Sequence, residues 1–217
     1  SWFIFNSENI QFNIIDTLCA IIKKGIVFLS KLESMHYSNP ILYFVRPIRW
    51  ITLMYNNTPI KINFFNLITG NETFGKSFRI KDKIIIENTN HYNKLLFNKG
   101  VIASYNERKK FIHDLIYSYC DNNNVKPILN HNILDEITGL LEHPCLLIGN
   151  INKTLVQLPK EILVSVIQNQ QKCIPILNKK DNIINKFIII SNIKLKFSKN
   201  IILGYEKVMN SRLKDAC

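Results

Sequence analysis

Glycine and arginine are scarce in this 217-residue chain, with seven Gly and only five Arg among its 28 Lys and Arg. With so few glycines spread along the chain, no glycine-rich phosphate cradle can be drawn. Neither G-x-x-x-x-G-K-[ST] nor G-x-G-x-x-G occurs, and H-E-x-x-H and G-x-S-x-G are also missing. The five cysteines (Cys19, Cys120, Cys145, Cys173, Cys217) form no C-x-x-C pair and no Cys/His spacing suited to zinc. An odd count of this kind fits reduced thiols in a cytosol. Long apolar runs are absent too. The best stretch, Ile14 to Leu29, is interrupted by Asp16 and by Lys23-Lys24, which argues against membrane spanning. The first residue is Ser and the chain stops at Lys214-Asp215-Ala216-Cys217, so it reads as a piece of something longer.

What is present is positive charge. The 28 basic against 16 acidic residues give a net charge of +12, the footprint of a protein that meets phosphate. Most of that charge is Lys, and Ile, Asn and Lys together fill about 40% of the chain. These three residues share A/T-rich codons, so the individual arginines are more informative than the bulk charge. Arg also offers a rigid donor fork that Lys cannot copy. Hydrophobic residues make up 47%, enough for an ordinary globular core.

Apolar spacing predicts an amphipathic helix from Ile14 to Leu29. Short β-type runs follow at 42–45, 51–55 and 60–65, with a hairpin turn at Asn56-Asn57-Thr58-Pro59. Residues 66–76 read as a loop, and Ile80 to Ile86 as a returning strand with Ile84, Ile85 and Ile86 buried. A short helix at 92–98 ends on Gly100, Val101-Ile102-Ala103 is a brief strand, and a helix spans 106–119. Asp121 to Lys126, followed by Pro127, is the best internal boundary. Beyond it come a helix from Ile133 to Leu141, a strand at 145–148, and a helix opened by Pro159. Strands at 173–177 and 187–190 flank a turn, and a last helix starts near Ile202. The class is α/β of the mixed α+β kind: an antiparallel or mixed sheet with packed helices. The organisation expected is a helical lead-in at 1–39 and one α/β domain at 40–217, with a sub-boundary near 121–127.

Three segments stand out chemically. Phe44-Val45-Arg46-Pro47-Ile48-Arg49-Trp50 sets two Arg and a Trp around a proline, a combination suited to phosphate contact and base stacking. Arg46 in an ion pair and Trp50 in the core would be the structural alternative. Gln170-Gln171-Lys172 precedes a strand, where a surface could be read. Gly204 to Val208 and Arg212 to Ala216 lie on the last helix, where Glu206, Lys207 and Asp215 could equally be surface ion pairs. Asp135, Glu136 and Glu142 fall on one predicted helix; Glu136 and Glu142 lie nearly two turns apart, a metal pair unsupported by a third ligand, and a solvated helix face is the better account. His143-Pro144-Cys145 puts a base beside a thiol.

Taken with their order and spacing, these segments resemble the beta subunit family of the bacterial heterotetrameric glycyl-tRNA synthetase. That family's Phe-Val-Arg-Pro-Val-His-Trp is matched by Phe44 to Trp50, with Arg49 in place of His. Its Leu-Glu-Glu-Val-Thr run is matched by Leu134 to Thr138, followed by Leu140-Leu141-Glu142-His143-Pro144. Leu158-Pro159-Lys160-Glu161-Ile162-Leu163, Gln171-Lys172, Phe187 to Ile193, Gly204 to Val208 and Arg212 to Ala216 continue the series. The run Tyr105 to Lys109 is similar to the family's helix start. Departures are Gly75-Lys76-Ser77-Phe78 for Gly-His-Arg-Phe, Tyr205 for Asn and Asn210 for Arg.

The resemblance implies a segment of a glycine–tRNA ligase, similar to a B3/4-type α/β module, that carries no catalytic residues and no metal. ATP would be used by the whole enzyme at its alpha subunit, with no cofactor bound by this segment. The implied partners are the alpha subunit, in an α2β2 tetramer, and tRNA(Gly), in the cytoplasm and without a membrane. Arg46, Arg49, Trp50, Arg79, Lys172 and Arg212 are the candidate tRNA contacts. An editing-type hydrolytic domain built on His143 and Cys145, or a generic basic RNA-binding domain, are the alternatives.

Overall fold

Helical spacing at the start of the chain becomes α1 (Ile14–Leu29), opened by Asn13, whose side-chain oxygen accepts the Ile15 N–H at 3.1 Å. The computed structural model describes residues 13–29, 35–36, 43–44, 48–64, 66–75, 83–192 and 198–216. It divides into two units, Ser1–Phe74 with Arg79–Tyr92, and Gly75–Phe78 with Asn93–Cys217. Among the described residues no helix is long and apolar enough to cross a membrane. The fold is mixed α/β, as the alternation of patterns predicts.

The first unit is built from small antiparallel ladders. β1 (Met35–His36) pairs with β2 (Tyr43–Phe44), and β3 (Met54–Tyr55) with β4 (Thr58–Pro59). The hairpin is tighter than predicted: only Asn56-Asn57 form the turn, with Asn56 at φ 48°, a left-handed conformation that Asn tolerates, while Thr58-Pro59 form the returning strand. β5 (Asn63–Phe64) pairs with β6 (Leu67–Ile68) through a second such turn at Asn66, and β7 (Glu72–Phe74) with β8 (Lys83–Ile85). The segment read as a loop therefore contributes β6 and β7. Ile60, Phe64, Ile84 and Ile86 are buried, together with Thr69, whose hydroxyl donates to the Ile60 carbonyl at 2.6 Å. Ile85 is 60% exposed, against expectation, because strand alternation turns it away from the side of Ile84 and Ile86.

The second unit has one four-stranded antiparallel sheet in the order β10-β12-β11-β9. Its elements are α2 (Tyr92–Asn98), α3 (Tyr105–Asn122), β9 (Lys126–Pro127), α4 (His131–Leu140), β10 (Cys145–Asn150), α5 (Lys160–Val164), β11 (Ile174–Leu177), β12 (Ile183–Ser191) and α6 (Ser198–Asp215). Ser104 caps α3 by accepting the Glu107 N–H, and Asn130 caps α4 by accepting the Ile133 N–H at 2.8 Å. Gly100, at φ 78°, ends α2 as predicted. Val101 to Ala103 form no strand; Ile102 is buried, and its N–H donates to the Glu142 carbonyl at 2.8 Å.

Alternation along β12 separates two cores. Ile188 and Ile190 pack with Ile112, Ile116 and Cys120 of α3 and with Ile133, Leu134 and Ile137 of α4. Phe187 and Ile189 pack on the other face with Leu163, Val166 and Ile167 and with Met209 and Leu213 of α6. The sheet is thus covered by helices on both sides. Two prolines fit this sheet. Pro127 lies on the edge strand, and Pro175 sits where the β11–β12 register shifts, so neither costs a regular ladder bond.

Candidate nucleic-acid interface

Of the six candidate contacts, Arg46 and Arg79 lie outside the described residues. Arg49 is exposed in the first unit. Trp50 beside it is half-buried, its ring 4.6 Å from that of Phe74 at an interplanar angle of 59°. Its indole is thus in part a packing group.

Lys172 and Arg212 belong to the second unit, on the two sides of one surface feature. The helix opened by Pro159 does not stay α-helical: α5 passes into a π-helical turn over Ser165–Gln170. The turn closes on Lys172, whose backbone is left-handed at φ 53°. The Lys172 N–H reaches the Gln168 carbonyl at 3.0 Å, and the Cys173 N–H reaches that of Ile167 at 2.9 Å. This is a Schellman-type closure with each bond one residue longer, as the wider turn requires. The Lys172 ammonium is 2.8 Å from Glu136 of α4. Arg212 donates from Nη1 to the Gln170 side-chain oxygen at 3.0 Å. Between that turn and α6 runs a shallow open groove lined by Gln170, Gln171, Asn200, Ile201, Gly204, Tyr205 and Val208.

The other motif residues of α6 hold the second unit together. Glu206 accepts both the backbone N–H and the side-chain amide of Asn150, at 2.7 and 2.8 Å. Asn210 accepts the Asn152 N–H at 2.8 Å. The carboxylate thus serves the end of β10. Asn192 plays a similar part after β12, its side-chain oxygen receiving the N–H groups of Glu142 and His143 at 2.9 and 3.0 Å.

Arg108 was not among the sequence candidates, although it is one of the five arginines. It donates to the Thr138 carbonyl at 2.9 Å and to the Ile102 carbonyl at 2.6 Å, tying α4 and the 101–103 segment to α3. Beside it, Asp135 accepts the Tyr105 hydroxyl at 2.9 Å and pairs with Lys109 at 2.5 Å. The Lys109 ammonium, and then the Tyr105 hydroxyl, hold the Asp135 carboxyl below its usual range; the same carboxylate raises both Tyr105 and Lys109. Asp135 and Glu136 are therefore engaged with cations. Among the described residues no cluster of His, Cys, Asp or Glu could hold a metal ion.

Among the described residues the four cysteines are free thiols. Burial pushes Cys120 up to about 11 and Cys173 up to about 12, which keeps both protonated and unreactive. Cys145 donates to the Ser191 carbonyl at 3.0 Å, and the His143 ring lies 6.2 and 6.3 Å from those of Phe97 and Phe111.

Comparison with known proteins agrees with the motif series. The family model described as glycyl-tRNA synthetase beta subunit matches residues 1–217. A glycine–tRNA ligase beta subunit of Coxiella burnetii (strain Dugway 5J108-111) is 34% identical over 94% of this chain and 30% of its own length. One from Buchnera aphidicola subsp. Acyrthosiphon pisum (strain Tuc7) is 33% identical over 99% of the chain and 31% of its own. One from Neisseria meningitidis serogroup B is 29% identical over 90% and 29%. The chain spans about 30% of the length of these curated relatives.

Proposed function

The chain belongs to the glycyl-tRNA synthetase beta subunit family, and from that premise we propose that it is a non-catalytic segment of a glycine–tRNA ligase. It supports ATP-dependent attachment of glycine to tRNA(Gly) by binding tRNA and bracing the assembly with the alpha subunit. A beta subunit implies a multi-subunit enzyme, and the adenylating chemistry falls to the alpha chain in the cytoplasm. The observation that carries this reading is the match along the whole chain, joined by relatives that cover 90–99% of it. The sequence supports it by its lack of a phosphate-cradling loop and by its net charge of +12. Arg46, Arg49, Trp50, Arg79, Lys172 and Arg212 are the tRNA contacts this reading assigns.

The test is glycine charging of tRNA(Gly) by the full beta chain mixed with its alpha subunit, against alpha alone. Charging that depends on both chains is the expected result. Charging by alpha alone at the same rate would remove the role proposed here.

A further inference from the structure

The strand order β10-β12-β11-β9 makes β10 and β9 the two edges of the sheet. Sheet edges invite an added strand unless they are short or carry Pro, Lys or a bulge. β9 is protected in this way, having only two residues, Lys126 and Pro127. β10 is not. Cys145–Asn150 is six residues long, without charge or proline, and its register with β12 is unbroken.

Alternation in an antiparallel ladder settles which backbone groups of β10 point outward. The Ile151 N–H donates to the Asn185 carbonyl at 2.9 Å, so the odd-numbered residues of β10 bond to β12 and the even-numbered ones face out. The Asn150 N–H accordingly leaves the sheet for the Glu206 carboxylate at 2.7 Å. The outward N–H and carbonyl groups of Leu146 and Ile148 meet no partner among the described residues. Both side chains are half-buried against the α3–α4 core. On the other face the flank of the edge is basic. At about 100° per residue, Lys199, Leu203, Lys207 and Lys214 of α6 all fall within about 100° of Glu206, on the side away from Tyr205. All four are exposed, Leu203 by 61%. Glu206 itself is spent on Asn150, and Asp215 falls on the opposite side of the helix.

We propose that the outer edge of β10 takes up an extended peptide segment of a partner protein as a fifth strand, one that alternates apolar and acidic residues. Its backbone pairs with Leu146 and Ile148, its apolar side chains extend the α3–α4 core, and its carboxylates meet the lysines of α6. Donors and acceptors repeated at every second residue fit the backbone of another strand and not a phosphate chain. A second copy of this chain is the wrong occupant. Pairing β10 with itself about a two-fold axis would set one basic α6 flank against the other in a molecule of net charge +12. The proposal does not rest on the ligase reading and leaves it untouched if it fails.

The test is fluorescence anisotropy of the full chain with a labelled, end-capped nonapeptide that alternates Val and Glu. Cross-strand neighbours point to the same face, so the valines lie opposite Leu146 and Ile148 and turn their N–H groups to β10. N-methylation of those valines should weaken binding about tenfold, through the loss of two backbone hydrogen bonds, whereas N-methylation of the glutamates should leave it unchanged. Replacing Lys199, Lys207 and Lys214 together by Ala should weaken binding and flatten its salt dependence without a fall in Tm. Absence of binding would overturn the proposal. Equal loss from both methylated peptides would overturn it as well, since charge attraction alone would then hold the peptide. A dimer of the chain that the peptide dissociates would assign the edge to a second copy and overturn the choice of partner.

Discussion

Phe187 of β12 faces Gly149 of β10 across the sheet, and both are buried. A Cβ on residue 149 would lie 2.5 Å from the Phe187 ring, so the glycine is there to admit the aromatic face. Gly149→Ala should therefore destabilise by about 1–3 kcal/mol, the ordinary cost of overpacking. It would be read as a lower urea midpoint at unchanged m-value, partly restored by adding Phe187→Leu. Charge works at the same scale around Asp135. Its carboxyl is depressed in the fold by Lys109 and Tyr105, so it contributes stability above its unfolded value of 3.8, lost as pH falls through the lower folded value. Asp135→Asn should lower the urea midpoint at pH 7, and its gap to the native chain should close below about pH 4. A gap that stays constant with pH would mean the pair contributes no charge-dependent stability. Arg108 shows what the sequence could and could not tell. Its scarcity marked it as informative, but its partners are carbonyls of Ile102 and Thr138, one of them 30 residues away. Spacing along the chain carries no trace of such a contact.

At the scale of elements, Lys172 separates a structural from an RNA-contacting role. A left-handed backbone costs a β-carbon-bearing residue about 1–2 kcal/mol, whereas its half-exposed pair with Glu136 is worth about 0–1 kcal/mol. Lys172→Gly should hold or raise Tm, and Lys172→Ala should lower it slightly, since it loses the pair and keeps the strain. If Lys172 also meets phosphate, both variants should weaken tRNA binding equally, and affinity that follows Tm instead would assign the residue to the turn alone. The turn itself escaped the sequence. Apolar spacing from Ile162 to Ile167 suits an α-helix, and nothing local announces that Gln168 will be buried to donate to the Ile128 carbonyl at 2.5 Å. Long periodic elements were legible: α1, α3, α4, β10 and β12 all follow their apolar patterns. β6 and β7 were not, because strands of two or three residues are too short to display a period. The 101–103 run erred the other way. Its β-type residues buy a buried Ile102 and one backbone bond, not a ladder.

At the scale of the molecule, the two units hold their backbone by different means. In the second, β12 is flanked on both sides, pairing over six residues with β10 and also with β11, and helices cover both faces. Opening any of its central amides requires exposing one of two apolar cores. The first unit has ladders of two or three residue pairs, and its described buried hydrophobics are Ile60, Phe64, Ile84 and Ile86. Short pairings with little buried apolar area open at a lower free energy than a covered sheet. Native-state hydrogen exchange should therefore show the slowest amides at Leu147 and at Phe187 to Ile190, exchanging only through global unfolding. Amides of Ile60, Thr69 and Ile86 are hydrogen-bonded too, but should exchange earlier and through a separate, denaturant-insensitive route. Equal protection in both units, converging on one slope with urea, would show instead that the whole chain unfolds as a single cooperative body, and that the small ladders draw their stability from more than their own contacts.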